Sequence, residues 1–98
     1  MTRFAFHPLM RPELKETAHF YEGRSVGLGR RFMAEVRNAI EQVLKDPEAA
    51  PVLRGRVRRK RVWRFPYDLL FDVNPAGVRF VAAVHHKRRP NYWLGRLK

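Results

Sequence analysis

Residues 54–71 read RGRVRRKRVWRFPYDLLF. Seven of the first eleven are cationic: Arg54, Arg56, Arg58, Arg59, Lys60, Arg61 and Arg64. Val57, Val62 and Trp63 lie among them, and the stretch then turns strongly apolar. A solvated basic tail has no use for that ending, so the pattern predicts a strand over residues 56–65 with a turn at Phe65-Pro66. Side chains alternate along a strand. Positions 58, 60, 62 and 64 therefore share one side, and 57, 59, 61 and 63 the other. Both sides mix cations with apolar residues, as expected for a strand that is only partly covered.

Toward the C-terminus, Tyr67, Leu69, Phe71 and Val73 alternate with Asp68, Leu70 and Asp72. Asn74-Pro75-Ala76-Gly77 has the residues of a hairpin turn, and Val78, Phe80, Ala82 and Val84 alternate again. The tail from His85 is polar apart from Tyr92, Trp93 and two leucines, and is expected to be a short helix or a loop. Toward the N-terminus, Glu48 to Leu53, with prolines at 47 and 51, reads as a connecting loop. Phe32, Val36, Ile40, Val43 and Leu44 make one stripe on a helix that Asp46-Pro47 stops. Ser25 to Gly29 reads as a tight helix-to-helix turn. Leu14, Ala18 and Tyr21 mark an earlier amphipathic helix ending near Gly23, with Pro8 or Pro12 in its first turn. The opening RFAF is a short strand broken by His7-Pro8. The expected architecture is α+β, in the order β-α-α-β-β-β. It places a helical hairpin on one face of a curved antiparallel sheet, in a single domain spanning residues 1–98.

At 98 residues the chain can enclose one modest core. Absence of cysteine rules out disulfides, thiolate metal sites and a cysteine nucleophile, and fits a cytoplasmic protein. The opening MTRFAFHPLM lacks the features of a secretory leader, and no apolar run approaches bilayer-spanning length. Charge is distributed unequally. Residues 1–50 hold eight Lys/Arg against seven Asp/Glu, whereas residues 51–98 hold thirteen against two, so the second half carries nearly all of the net +12. Charge on that scale strains a compact state and exceeds ordinary solubility needs. It points to a polyanionic or acidic partner more than to a solvated edge that resists aggregation.

The candidate binding surface is Arg58, Arg59, Arg61 and Arg64 on the basic strand with Lys87, Arg88 and Arg89 beyond the last strand. If the last three strands lie side by side, the two clusters border one face. His85 and His86 are candidate proton carriers, with Tyr92 a third, because an imidazole titrates near neutrality. Adjacent strand residues face opposite ways, which argues against both histidines holding one metal, and no metal or cofactor is expected. Gly27-Leu28-Gly29 is too short for a phosphate loop. Tyr92 and Trp93 either pack the tail on the domain or offer a ring to a nucleobase, packing being the commoner use.

Several stretches together resemble the RelE/ParE superfamily of toxins, often labelled plasmid stabilisation proteins. These are FHP at 6–8, HFYE at 19–22, GLGRRFMAEV at 27–36, VRRKRVWRFPYDLLFDV at 57–73 and AVHHKRRPNYW at 83–93. The resemblance covers nearly the whole chain in order. It implies a β-α-α-β-β-β fold and the toxin half of a type II toxin–antitoxin pair, bound and silenced by an acidic antitoxin in a hetero-oligomer. Such toxins either cut messenger RNA on the ribosome or, in the ParE-like branch, block DNA gyrase. Matched to the RNA-cutting members, the strand cations fall near Arg59 and Arg61. The central-strand arginine is replaced by Asp68, the terminal arginine falls near Lys87, and the tyrosine falls at Trp93 or Tyr92. The loss of the central arginine favours the ParE-like branch, with ribosome-dependent RNA cleavage as the alternative. A basic nucleic-acid-binding module without toxicity is the reading from another class.

Overall fold

A computed structural model describes residues 3–87 and 90–97. Strand β1 (Phe4–Phe6) leads into helices α1 (Met10–Arg24) and α2 (Leu28–Lys45). Strands β2 (Val52–Arg54), β3 (Val57–Val62), β4 (Tyr67–Asn74) and β5 (Gly77–His85) follow, with single 3-10 turns at Pro47–Ala49 and Leu94–Leu97. The chain is α+β, as expected. No helix among the described residues is long and apolar enough to cross a membrane.

Four details depart from expectation, the last of them within β5. The sheet is mixed rather than antiparallel: its order is β1-β5-β4-β3-β2, and β1 lies parallel to β5. These two strands are joined through the whole domain and not by a hairpin, so no turn imposes antiparallel pairing. Residues 48–53 are more than a loop, since β2 pairs with β3 across a turn at Gly55, whose φ of 57° suits glycine. The basic strand itself is shorter than 56–65, because Trp63 to Pro66 form the turn.

The helices pair closely because Gly29 lacks a side chain. A Cβ there would stand 2.4 Å from the Ala18 carbonyl oxygen. Gly27, at φ 87°, turns the chain between them. The Glu22 carboxylate accepts the N–H groups of Gly27 (2.9 Å) and Gly29 (3.1 Å), supplying the start of α2 with the acceptors a helix terminus needs. Those two bonds hold the Glu22 carboxyl below the usual carboxylate pKa.

The sheet has a buried cluster on each face. On the helix side, Met10 and Leu14 of α1 and Phe32, Val36, Ala39 and Val43 of α2 close over Val62, Leu69, Phe71, Val78, Phe80 and Ala83. On the other side, Trp93 of the tail is buried against Val57, Leu70, Val81 and Ala82, with Tyr92, Leu94 and Leu97 packed around them. Tyr92 donates its hydroxyl to the Ala83 carbonyl at 3.4 Å. The tail therefore uses its aromatic pair for packing.

The tail is also fastened at its far end. Arg96 grips Glu13 of α1 through two parallel bonds, 2.8 Å and 2.5 Å, and donates to the Val81 carbonyl at 3.2 Å. The β1 pairing ends at Phe80, so Arg96 satisfies a strand carbonyl just beyond the point where the neighbouring strand stops.

Within β5 the simple alternation of Val78, Phe80, Ala82 and Val84 fails. Leu70 pairs with Ala82 but Phe71 pairs with Phe80, leaving Val81 as an extra residue. This β-bulge puts Val81 and Ala82 on the same, tail-facing side and reverses the phase of everything after it. Ala83 then joins the helix-side cluster in place of Ala82.

Candidate binding groove

Strand β3 alternates as its sequence dictates, with Val57 buried on the tail side and Val62 on the helix side. Arg59 and Arg61 accordingly stand with Val57 on the tail side, and Arg58 and Lys60 face the helices. Register carries the pattern across the sheet: Arg61 pairs with Asp68 and Asp68 with Val84, while Arg59 pairs with Leu70 and Leu70 with Ala82. These positions border a groove of about 830 Å³ whose walls include Arg59, Arg61, Asp68, Leu70, His86 and Trp93. The groove extends past Leu53 and the Ala49-Ala50-Pro51 segment to the C-terminal end of α2 at Gln42 and Asp46.

It follows the outer edge of β3. The Arg59 N–H is bonded to the Pro51 carbonyl (3.0 Å), and β2 pairs only with Val57 and Arg58. From Lys60 to Val62 that edge has no neighbouring strand among the described residues.

The bulge in β5 settles the fate of the two histidines. Because the phase reverses at Val81, His86 falls on the groove side, where its Nε2 lies 3.2 Å from Asp68 Oδ1. Its backbone N–H donates to the Pro66 carbonyl (2.8 Å), tying the end of β5 to the β3–β4 turn. His85 takes the other direction: its ring meets Tyr67 edge-on at 5.0 Å, and its Nδ1 accepts the Lys87 N–H at 3.0 Å. It reaches the groove wall and also a smaller cleft of about 340 Å³ on the helix side, beside Glu13, Glu16 and Thr17.

The expected basic surface is thus only partly assembled. Arg59 and Arg61 share the groove with His86. Arg58 is taken up structurally, donating to the carbonyls of Glu48 (3.2 Å) and Ala50 (2.7 Å) and closing the 3-10 turn after α2. Arg64 sits in the β3–β4 turn with its guanidinium 4.5 Å from the centre of the Trp63 ring. Lys87 is exposed at the end of β5. Arg88 and Arg89 lie outside the described residues. Tyr92 borders the tail-side core rather than joining His85 and His86 in one cluster.

Both carboxylates of the basic half are engaged. Asp68 pairs with His86. Asp72, 2% exposed, pairs with its cross-strand neighbour Arg79 at 2.8 Å. In the sequence Asp68 stands out only as the replacement of an arginine that the resemblance leads one to expect; in the structure it meets an imidazole. That contact depends on the bulge, and no spacing in the sequence announces it. Trp63 is the other residue the sequence undersold: it is 62% exposed, where an apolar strand residue was expected to be partly covered.

No protein-family model matches this chain, and no curated protein matches it either.

Proposed function

We propose that this chain is the toxin of a type II toxin–antitoxin module, closer to the ParE-like than to the RNA-cutting branch of the RelE/ParE superfamily. In this reading it acts in the cytoplasm, arrests growth by binding an essential target such as DNA gyrase, and is neutralised by a cognate acidic antitoxin. The observation that carries the proposal is the open edge of β3 beside the groove. An extended acidic segment can add itself there as a strand, continuing past the Arg59–Pro51 bond to the outward-facing backbone of Arg61 while its carboxylates meet Arg59 and Arg61. Among the described residues no ion pair joins Asp68 or Asp72 to Arg59 or Arg61, so both guanidinium groups are left to a partner. A segment disordered beforehand gains order and counter-charge together on docking. The element order β-α-α-β-β-β, with β2 as a short addition, is compatible with the resemblance.

Inducing the chain alone in bacteria arrests growth, and co-expressing an acidic protein encoded beside it restores growth. Normal growth at verified soluble expression refutes the proposal. Following DNA replication and translation separately after induction identifies the process that stops first.

One contact favours the alternative, ribosome-dependent RNA cleavage. An imidazole oriented by a carboxylate, as His86 is by Asp68, suits transfer of a proton during attack of a 2′-hydroxyl on its phosphate. Arg59 and Arg61 are then the groups that steady the phosphate charge. Codon-specific cuts in ribosome-bound message, seen by primer extension and abolished by His86→Ala, would replace the binding reading with this one.

A further inference from the structure

The β3–β4 turn carries a feature that neither a groove nor an acidic partner uses. Trp63 directly follows β3 and leaves most of its indole, 62%, in solvent, although the Arg64 guanidinium already lies 4.5 Å from the ring centre. Arg64 holds that position with φ at 69°, a left-handed conformation that an arginine adopts at a cost. The turn is not loose: Phe65 N–H bonds the Val62 carbonyl (3.1 Å), Phe65 is buried in the helix-side core, and the Pro66 carbonyl is bonded by His86. A rigid turn thus presents a flat aromatic surface backed by a cation. Val62 points to the helices, so Arg59 and Arg61 lie on the opposite side of the ribbon, and Trp63 follows directly in the turn at its end.

We infer that this tip is a docking point for single-stranded nucleic acid. A nucleobase stacks on the exposed indole, and Arg59, Arg61 and Arg64 take the neighbouring phosphates. Each part of the site matches one part of that ligand. The π surface of a base is flat, as the indole is, and stacking on it tolerates any base. A carboxylate-rich peptide would use the arginines and leave the indole idle. A duplex keeps its bases stacked on one another, so a lone ring on a turn reaches them only by unstacking a step. The strand periodicity spaces Arg59 and Arg61 on one side, as needed to follow a backbone lying along β3, and Arg64 adds a third cation at the turn. The inference is independent of toxicity: a chain that arrests no growth can still bind in this way.

The test uses the full-length chain and short fluorescein-labelled oligothymidylate and oligouridylate, with a duplex of equal length beside them. Anisotropy is read at ~50 and ~200 mM salt. Both single strands should bind more tightly than the duplex and should quench tryptophan emission, which Trp63 dominates as an acceptor of stacking because Trp93 is buried. Trp63→Ala should weaken binding by about five- to 100-fold with the salt slope unchanged, while Trp63→Phe stays within about threefold. Arg59→Ala with Arg61→Ala should instead lower the slope of log affinity against log salt by about 1.4. Unchanged affinity in Trp63→Ala overturns the inference. So does a duplex bound as tightly as the single strands, or complete displacement by polyglutamate without any tryptophan quenching. The last result would mark the surface as a reader of charge alone, suited to an acidic peptide.

Discussion

The Arg96–Glu13 clasp ties the end of the chain to the first helix across 83 residues of sequence, and its removal should be felt throughout the domain. Arg96→Met keeps the apolar stem and deletes the head group. The loss comprises two charge-assisted bonds to Glu13 and one bond to the Val81 carbonyl. The side chains are only 11% and 20% exposed, so solvent screens the pair less than it would a surface ion pair. Bonds to charged groups are worth ~1.5–3 kcal/mol each when formed at the expense of water, and the two to Glu13 act as one unit. Some hydration returns to both partners, so about 2–3 kcal/mol is the expected total, or roughly 8–20 °C in the melting temperature of a domain this size. Burial and Glu13 oppose each other at the guanidinium. The bonds to Glu13 dominate and hold its pKa above the ordinary arginine value, so charge is retained throughout. Urea denaturation of the native chain, Arg96→Met, Glu13→Gln and the double variant gives the coupling directly, expected at about 1–2 kcal/mol. Coupling below about 0.5 kcal/mol would show that the tail is held by Trp93 and its apolar neighbours alone, and the reasoning would fail.

Three further outcomes are expected. Glu22 has a folded-state pKa below its unfolded value, so its contribution is present above about pH 4.5 and is lost as the pH falls through the lowered folded value. Glu22→Gln should accordingly flatten the acid limb of a stability–pH curve measured by urea denaturation; an unchanged limb would exclude Glu22 as the cap. Gly29→Ala should destabilise the chain by about 1–2 kcal/mol in thermal melts, because overpacking against the fixed Ala18 carbonyl outweighs the ~1 kcal/mol gained in helix propensity. Arg59→Glu with Arg61→Glu should weaken capture of the acidic partner more at low than at high salt in calorimetry, since the lost attraction is screened. Equal weakening at both would mean that β3 binds by packing.

The helices were legible because their stripes are long and regular: Phe32, Val36 and Val43 recur at helical spacing and all are buried. β3 and β4 were legible for the same reason at a period of two, including the separation of Arg59 and Arg61 from Arg58. β2 was not, since Val52-Leu53-Arg54 is three residues long, follows a proline and is exposed throughout. The pairing of β1 with β5 is a long-range choice that local pattern does not encode. The bulge hides within a run of apolar residues, Phe80 to Val84, where every position suits burial and no polar residue marks the phase. What depended on it was hidden too, above all which histidine meets Asp68. Arg58 and Arg96 share a second kind of opacity: an arginine that bonds a carbonyl or a distant glutamate looks, in sequence, like any other cation.

The surplus residue at Val81 gives the end of β5 a parity. Removing one residue there would turn the strand's last positions inside out, sending His86 toward the α1 carboxylates and His85 toward Arg61, with neither imidazole replaced. The chemistry this face presents is therefore written partly in chain length, and a single-codon deletion could exchange it as thoroughly as several substitutions.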